Sequence, residues 1–220
     1  MKKGSTELVF ILDRSGSMSG LEDDTVGGYN SMMDKQREVE GEVIVTTVLF
    51  DDKYELLHDR INFKDLIPMT REEYYVRGST ALIDAIGRTI KKVENAQTHI
   101  AEKSKADKVI FVITTDGYEN ASREFSAQQV KKMVEDKRLH SGWEFIFMGA
   151  NIDAVETAKM YGVAESCAVN YHSDKKGEAT RSRVLGETLC AMRKSEKALS
   201  SQEMMSCLSE IDEDYKKRRK

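Results

Sequence analysis

The chain has 220 residues, which is long enough for one domain with a sizeable hydrophobic core. Hydrophobic residues make up 40% and charged residues 33% of the chain, and the net charge is -4. This composition is typical of a soluble globular protein, and its acidic balance argues against a nucleic-acid-binding domain. No apolar segment is long enough to span a bilayer. We therefore expect neither a nucleic-acid partner nor a membrane association.

The cysteines and the first residues bear on location. Cys167, Cys190 and Cys207 are odd in number, widely spaced and form no C-x-x-C pair, which is typical of reduced thiols. The opening MKKGSTELVFIL carries two lysines but no small-residue cleavage site, so we expect no secretory signal peptide. Together these features predict a cytoplasmic protein.

An apolar run and the polar residues after it give the first functional signal. Residues Leu8–Leu12 are continuously apolar, which predicts a strand buried on both faces of a largely parallel sheet. The D-R-S-G-S stretch of residues 13–17 follows at once, and it places one carboxylate and two hydroxyls at alternate positions. Ligands of open α/β sheets bind at the carboxyl ends of strands, and oxygen donors suit a hard divalent cation. The pattern therefore favours a site for a cation such as Mg2+.

Two later stretches offer further oxygen donors. Thr80 lies in the stretch G-S-T-A-L, which opens a helix, and Asp116 ends a second apolar strand and precedes Gly117. With these two residues, the D-x-S-x-S pattern resembles the von Willebrand factor A domain family. The metal-ion-dependent adhesion site of that family takes a Thr and a second Asp from two other loops. The resemblance covers residues 7–171.

The resemblance implies an intact adhesion site of an intracellular bacterial or phage type. The implied ligands of Mg2+, or of Mn2+ or Ca2+, are Asp13, Ser15, Ser17, Thr80 and Asp116. In the family, water or a carboxylate from a binding partner takes the remaining position on the metal. The implied partner is therefore a protein that offers an Asp or Glu side chain.

Each piece of this site also has a simpler interpretation. The D-x-S-x-S motif alone can be a turn with local side-chain capping, and Thr80 can be only a helix N-cap. Asp84, one turn into the same helix, is interpreted as complementing the helix dipole, with a hydrogen bond near the site left open. Asp51 and Asp52 are interpreted as turn formers and left out of the site.

The predicted elements alternate between strands and helices. Strands are predicted at residues 8–12, 43–50, 54–58, 109–116, 143–148 and 167–171, and helices at 21–40, 81–100, from 126, and 152–161. The strand at 54–58 follows a tight turn and should pair antiparallel at a sheet edge. The pattern predicts a doubly wound, Rossmann-like three-layer α/β sandwich, with a mostly parallel sheet and one antiparallel edge strand.

Local signals set the helix ends. Residues 126–129 form a capping box, and Asn151 is predicted to cap the helix at 152–161. Gly27 and Gly28 weaken the first helix, and we expect a small residue there to let that helix approach the sheet closely.

The last part of the chain has a different character. We predict a von Willebrand factor A domain at residues 1–172 and a helical carboxyl-terminal extension at 173–220, joined by a polar linker at 172–178. Two apolar stripes lie in this extension: Leu185, Leu189 and Met192, and then Met204, Leu208, Ile211 and Tyr215. These helices either dock on the domain or form a surface for a partner or for self-association. The basic residues 216–220 are interpreted as a solvated tail.

The expected function is metal-dependent protein interaction by a non-enzyme. One alternative is a Mg2+-dependent phosphatase or hydrolase of the haloacid dehalogenase-like type, which also places an Asp after its first buried strand. That pattern fails at Ser15, where an acid–base Asp is expected, because a hydroxyl cannot transfer that proton at neutral pH. Another alternative is a scaffold subunit of a larger ATPase-linked complex, since some relatives work with AAA+ ATPases.

Overall fold

The computed structural model describes residues 4–218, which contain six strands and six α-helices. In chain order they are β1 (Thr6–Asp13), α1 (Glu22–Lys35), β2 (Val43–Phe50), β3 (Tyr54–Asn62), α2 (Leu82–His99), β4 (Lys108–Thr115), α3 (Ala127–His140), β5 (Glu144–Gly149), α4 (Ala154–Met160), β6 (Ala168–Asn170), α5 (Lys175–Lys194) and α6 (Ser201–Arg218). Within the described residues, none of these helices combines the length and the hydropathy needed to cross a membrane.

One six-stranded sheet organises the molecule, in the order β3-β2-β1-β4-β5-β6. β3 pairs antiparallel with β2 at one edge, and the other neighbours pair parallel. This confirms the predicted sheet with its single antiparallel edge strand. β1 lies between β2 and β4, with Leu12 opposite both Leu49 and Thr114. The loops after β1 and β4 therefore leave the same edge of the sheet side by side.

Helices cover both faces of the sheet. Side chains of β1 alternate between the faces, so Leu8, Phe10 and Leu12 enter one core while Val9 and Ile11 enter the other. The first core is completed by residues of α1, α5 and α6, and the second by residues of α2, α3 and α4. All five of these side chains are buried. The predicted three-layer sandwich is confirmed.

The first helix packs differently from the expectation. A methyl group at Gly28 would lie 2.2 Å from the Ser182 hydroxyl, so this glycine allows α1 to approach α5. The expectation that these glycines let α1 approach the sheet is wrong, because the nearest atoms to an added methyl at Gly28 belong to α5 and a methyl at Gly27 has no atom within 4 Å. The helix is also shorter than predicted, since residues 36–38 form a 3-10 turn after Lys35.

The predicted polar linker at 172–178 is wrong after residue 174. The Asp174 side chain accepts a hydrogen bond from the Gly177 N–H at 2.8 Å and caps α5, so the polar residues after it form the first helical turn. In α6, Met204, Leu208 and Ile211 are buried, as expected if this helix docks on the domain. The division of the chain at residue 172 stays a prediction. Residues 216–218 belong to α6, and the last two residues of the predicted tail lie outside the described residues.

The start of α4 also differs from the expectation. Asp153, and not Asn151, caps this helix, because its carboxylate accepts a hydrogen bond from the Glu156 N–H at 3.1 Å. Asn151 has a φ of 54° and lies in the turn that precedes the helix. Asn151 was a reasonable candidate because Asn and Asp share the same capping chemistry and stand two positions apart.

Candidate functional site

Three loops meet at the carboxyl edge of the sheet. They follow β1, precede α2 and follow β4, and main-chain hydrogen bonds join them. The Gly16 N–H donates to the Gly78 carbonyl at 3.1 Å, and the N–H groups of Asn120 and Ala121 donate to the Thr80 carbonyl at 3.0 and 3.2 Å. The structure thus brings together the loops that carry all five predicted metal ligands.

The hydroxyls of these loops share one small space. Ser15 Oγ and Ser17 Oγ are 3.1 Å apart, and the Ser17 hydroxyl donates a hydrogen bond to Asp116. A methyl group at Gly117 would lie 3.4 Å from Ser17 Oγ and 3.7 Å from Thr80 Oγ1. Neighbouring oxygens in an octahedral Mg2+ shell are about 3 Å apart, given metal–oxygen distances of about 2.1 Å. The distance between the Ser15 and Ser17 hydroxyl oxygens is therefore the one that two neighbouring ligands of a small divalent cation would have.

Asp13 has a fixed carboxylate. One of its oxygens accepts a hydrogen bond from the Ser15 N–H at 2.7 Å, and the other accepts from the Thr115 hydroxyl at 2.6 Å. The residue is 1% exposed, and this burial raises the pKa of Asp13 although the hydrogen bonds act to lower it. Each carboxylate oxygen keeps a further lone pair, so the side chain can still bind a cation.

Asp116 is, like Asp13, a buried carboxylate without a positively charged partner among the described residues. Burial, together with the nearby carboxylates of Asp13 and Glu178, raises the pKa of Asp116 to about 6, against hydrogen bonds from Ser17 and Ser173. No Lys, Arg or His is among the main causes of the pKa shifts of Asp13 and Asp116, and none forms an ion pair with either carboxylate within the described part of the chain. Two buried carboxylates thus lie at one edge of the sheet without a positive partner.

Thr80 does not cap α2. The N-cap residue is Ala81, and its side chain makes no capping hydrogen bond. The Thr80 N–H donates to the Asn120 side chain at 2.9 Å, whereas its hydroxyl has no hydrogen-bond partner among residues 4–218. The N-cap interpretation is therefore wrong, and the Thr80 hydroxyl is free to bind another group.

Polar residues around Thr80 hold its loop in place. Asp84 accepts hydrogen bonds from three successive N–H groups, of residues 123–125, at 2.8, 3.0 and 2.9 Å. Glu119 accepts from the Ile83 N–H at 2.9 Å. Asp84 therefore organises the loop after Asn120. The interpretation as a helix-dipole residue did not include this role, although a hydrogen bond near the site had been left open. The short polar stretch after Asp116 was the only signal in the sequence for these contacts.

The donor set of the site is unusual for metal sites in general. Among the described residues, no group of three or more His, Cys, Asp or Glu side chains could hold a metal ion. A cation at this edge of the sheet would therefore depend on the serine and threonine hydroxyls as much as on the two carboxylates.

No family model and no curated protein matches this sequence. Solved structures share its fold. The von Willebrand factor domain of Mfa5, a type V pili tip protein from Porphyromonas gingivalis, superposes with a TM-score of 0.63 at 11% identity, over 88% of this chain and 98% of that one. The PilB minor pilin from Streptococcus sanguinis, solved as a mutant, gives a TM-score of 0.60 at 11% identity, over 86% of this chain and 62% of that one.

A third structure is similar in fold and carries a metal. Proximal thread matrix protein 1 from the mussel byssus, with a zinc-occupied MIDAS motif, gives a TM-score of 0.56 at 15% identity, over 85% of this chain and 46% of that one. The chain therefore spans less than two thirds of the length of the pilin and of the byssus protein. The protein described here has the von Willebrand factor A fold.

Proposed function

We propose that the protein is a metal-dependent protein-interaction module rather than an enzyme. Its ligands for Mg2+, or for Mn2+ or Ca2+, are Asp13, Ser15, Ser17, Thr80 and Asp116. The observation that carries this proposal is the pair of buried, uncompensated carboxylates beside three converging hydroxyls. All five side chains supply oxygen, which is the ligand type that hard divalent cations prefer. The zinc-occupied motif of the byssus protein supports a divalent metal at this place in the fold.

The charges of the site suit recognition of an acidic partner. Asp13 and Asp116 together balance the two positive charges of the cation, and the hydroxyls are neutral. A bound cation of this kind keeps an electrophilic position that a carboxylate oxygen can occupy. Ser17 lies exposed at the rim while Asp13 is buried beneath it, so a partner approaches from the side of Ser17. The partner we propose is a protein segment that offers an Asp or Glu side chain.

The side chains favour binding over catalysis. Ser15 stands where a haloacid dehalogenase-like phosphatase has its acid–base Asp, and its hydroxyl is within 3.1 Å of the Ser17 hydroxyl. A serine hydroxyl is a poor general acid or base at neutral pH. The location we propose is the cytoplasm, where the free thiols of Cys167, Cys190 and Cys207 stay reduced. An assembly with an AAA+ ATPase, or self-association through α6, is compatible with such a module.

Affinity capture from a cell lysate tests this function. Tagged wild-type protein should retain a partner in millimolar Mg2+ and lose it in EDTA, and the variant Asp13→Ala should lose it in both. Asp34→Ala is the matched control, because Asp34 is an exposed carboxylate paired with Arg37. Circular dichroism should show that both variants fold. A partner retained equally by all samples would mean that recognition uses another surface.

A further inference from the structure

Arg14, the second residue of the D-x-S-x-S motif, is fully buried. Its Nε donates a hydrogen bond to Asp51 at 3.0 Å, and its Nη2 donates to Glu55 at 2.6 Å. The guanidinium carbon lies 4.9 Å from the centre of the Tyr75 ring, a favourable cation–π distance. The side chain thus points away from the two uncompensated carboxylates and into the turn between β2 and β3.

Asp51 joins this side chain to the loop that carries Thr80. The same carboxylate oxygen that binds Arg14 also accepts from Arg77 Nε at 2.7 Å. The main-chain carbonyl of Asp51 accepts from the Ala81 N–H at 2.9 Å. Asp51 therefore contacts the D-x-S-x-S loop through its side chain and the residue after Thr80 through its main chain. The interpretation of Asp51 as only a turn former is wrong.

Main-chain hydrogen bonds complete the connection. The Arg14 N–H donates to the Phe50 carbonyl at 2.8 Å, and the Arg77 N–H donates to the Arg14 carbonyl at 3.0 Å. Together with the Gly16–Gly78 bond, these contacts lie on either side of Ser15. A buried ion pair resists rearrangement, because separating it leaves an uncompensated charge out of water. The relative position of the two loops is therefore fixed by contacts that include no metal ligand side chain.

We propose that Arg14 and Asp51 are positioning residues for the metal site, which hold the D-x-S-x-S loop and the Thr80 loop at the spacing that the ligands require before a metal binds. This inference rests on the proposed metal site. The planar guanidinium of Arg14 binds Asp51 and Glu55 with different nitrogens, an arrangement that a lysine ammonium cannot reproduce. Residues that orient metal ligands typically change metal affinity by about 10- to 100-fold when replaced.

Calorimetric titration with Mg2+ tests the inference. Arg14→Met and Asp51→Asn should each weaken Mg2+ binding by about 10- to 100-fold. The double variant should bind Mg2+ only slightly more weakly than the more affected single variant, because the two residues are directly bonded to each other and their effects on affinity should not add. Arg183→Met is the matched control, since it removes an Arg from a solvent-exposed ion pair with Glu210, and its Mg2+ affinity should equal that of the wild type.

Hydrogen exchange in EDTA gives a second measurement that needs no metal. In Arg14→Met, the Gly16 and Ala81 amides should exchange faster than in the wild type, while amides of β4 should be unchanged. Folded Arg14→Met with wild-type affinity and wild-type exchange would overturn the inference, as would additive losses in the double variant.

Two further outcomes are also decisive. If Arg14→Met does not fold, Arg14→Lys replaces it, because a lysine keeps a positive charge beside Asp51 but cannot bind Asp51 and Glu55 with different nitrogens as the guanidinium does. Unchanged affinity and unchanged Ala81 exchange in folded Arg14→Lys would then overturn the inference. A wild-type protein that binds no Mg2+ would overturn the proposed function and the positioning role with it, whereas normal wild-type binding with insensitive variants would overturn the positioning role alone.

Discussion

The Ser17 hydroxyl donates a hydrogen bond to the Asp116 carboxylate, although the two residues are 99 positions apart in the chain. The contact forms because β1 and β4 are adjacent parallel strands, so the loops that follow them leave the sheet together. This contact places the neutral hydroxyl oxygen of Ser17 beside the buried carboxylate of Asp116. The edge of the sheet therefore presents a ready set of oxygens that are held by the fold itself.

Loss of the buried carboxylate of Asp51 should destabilise the protein. Asp51→Asn keeps the size of the side chain but leaves Arg14 without its buried counter-charge, because the side chains of both residues are 0% exposed. Breaking one partner of a buried ion pair costs about 3–5 kcal/mol. Urea unfolding at pH 7 measures this change. Glu38→Gln is the control, since its exposed ion pair with Lys35 should contribute less than about 1 kcal/mol.

The effect of Asp51 should depend on pH. Burial acts to raise the pKa of Asp51, but hydrogen bonds from Arg77 and from the Lys53 N–H, with the charges of Arg14 and Arg77, hold it below its ordinary value. The stability from this group is therefore complete above the unfolded pKa of about 3.9 and is lost as the pH falls through the lowered folded value. The gap between wild type and Asp51→Asn should shrink below about pH 4. A gap that widens in acid would contradict this sign.

Two adjacent glycines of α1 should respond oppositely to the same substitution. Gly27→Ala adds a methyl group with nothing within 4 Å, so better helix propensity should stabilise the protein by up to about 1 kcal/mol. Gly28→Ala drives a methyl group into Ser182 of α5 and should destabilise it by about 1–3 kcal/mol. Thermal unfolding of both variants checks this. Equal shifts would mean that α1 and α5 are not closely packed.

Two adjacent methionines of α6 provide a similar pair. Met204 is 2% exposed and Met205 is 61% exposed. Met204→Ala should cost about 2–5 kcal/mol because it removes a core side chain, whereas Met205→Ala should change stability by less than about 0.5 kcal/mol. Urea unfolding measures both. If Met204→Ala left the monomer's stability intact but dissociated a dimer, α6 would be an interface and not a docked helix.

The sequence predicted the fold best where a residue pattern is compatible with a single kind of element. The apolar run Leu8–Leu12 became a buried central strand, and the polar stretch after it reached the predicted edge of the sheet. The roles of Arg14 and Asp51 were not predictable, because an Asp in a tight turn is usually a turn former, and a pairing across 37 positions leaves no local signal.

Helix beginnings were harder to predict in polar stretches. Asp174 caps α5 inside a stretch that was interpreted as a linker. The mistake arose because the charged first turn of a capped helix has the same composition as a polar loop. Thr80 was weighed as an N-cap because its residue type suits that position, and only the three-dimensional structure shows that Ala81 is the N-cap residue instead. Local composition could not distinguish these cases, because the deciding contacts come from other loops.

Thermal unfolding in EDTA and in Mg2+ tests the proposed metal site most directly. Binding to the folded state alone stabilises a protein by about 1.4 kcal/mol at ten times the dissociation constant, so Mg2+ should raise the melting temperature of the wild type. The same addition should leave Asp13→Ala and Thr80→Ala unchanged, while Asp34→Ala should behave as the wild type does. A wild-type melting temperature that is identical in EDTA and in millimolar Mg2+ would contradict the metal site.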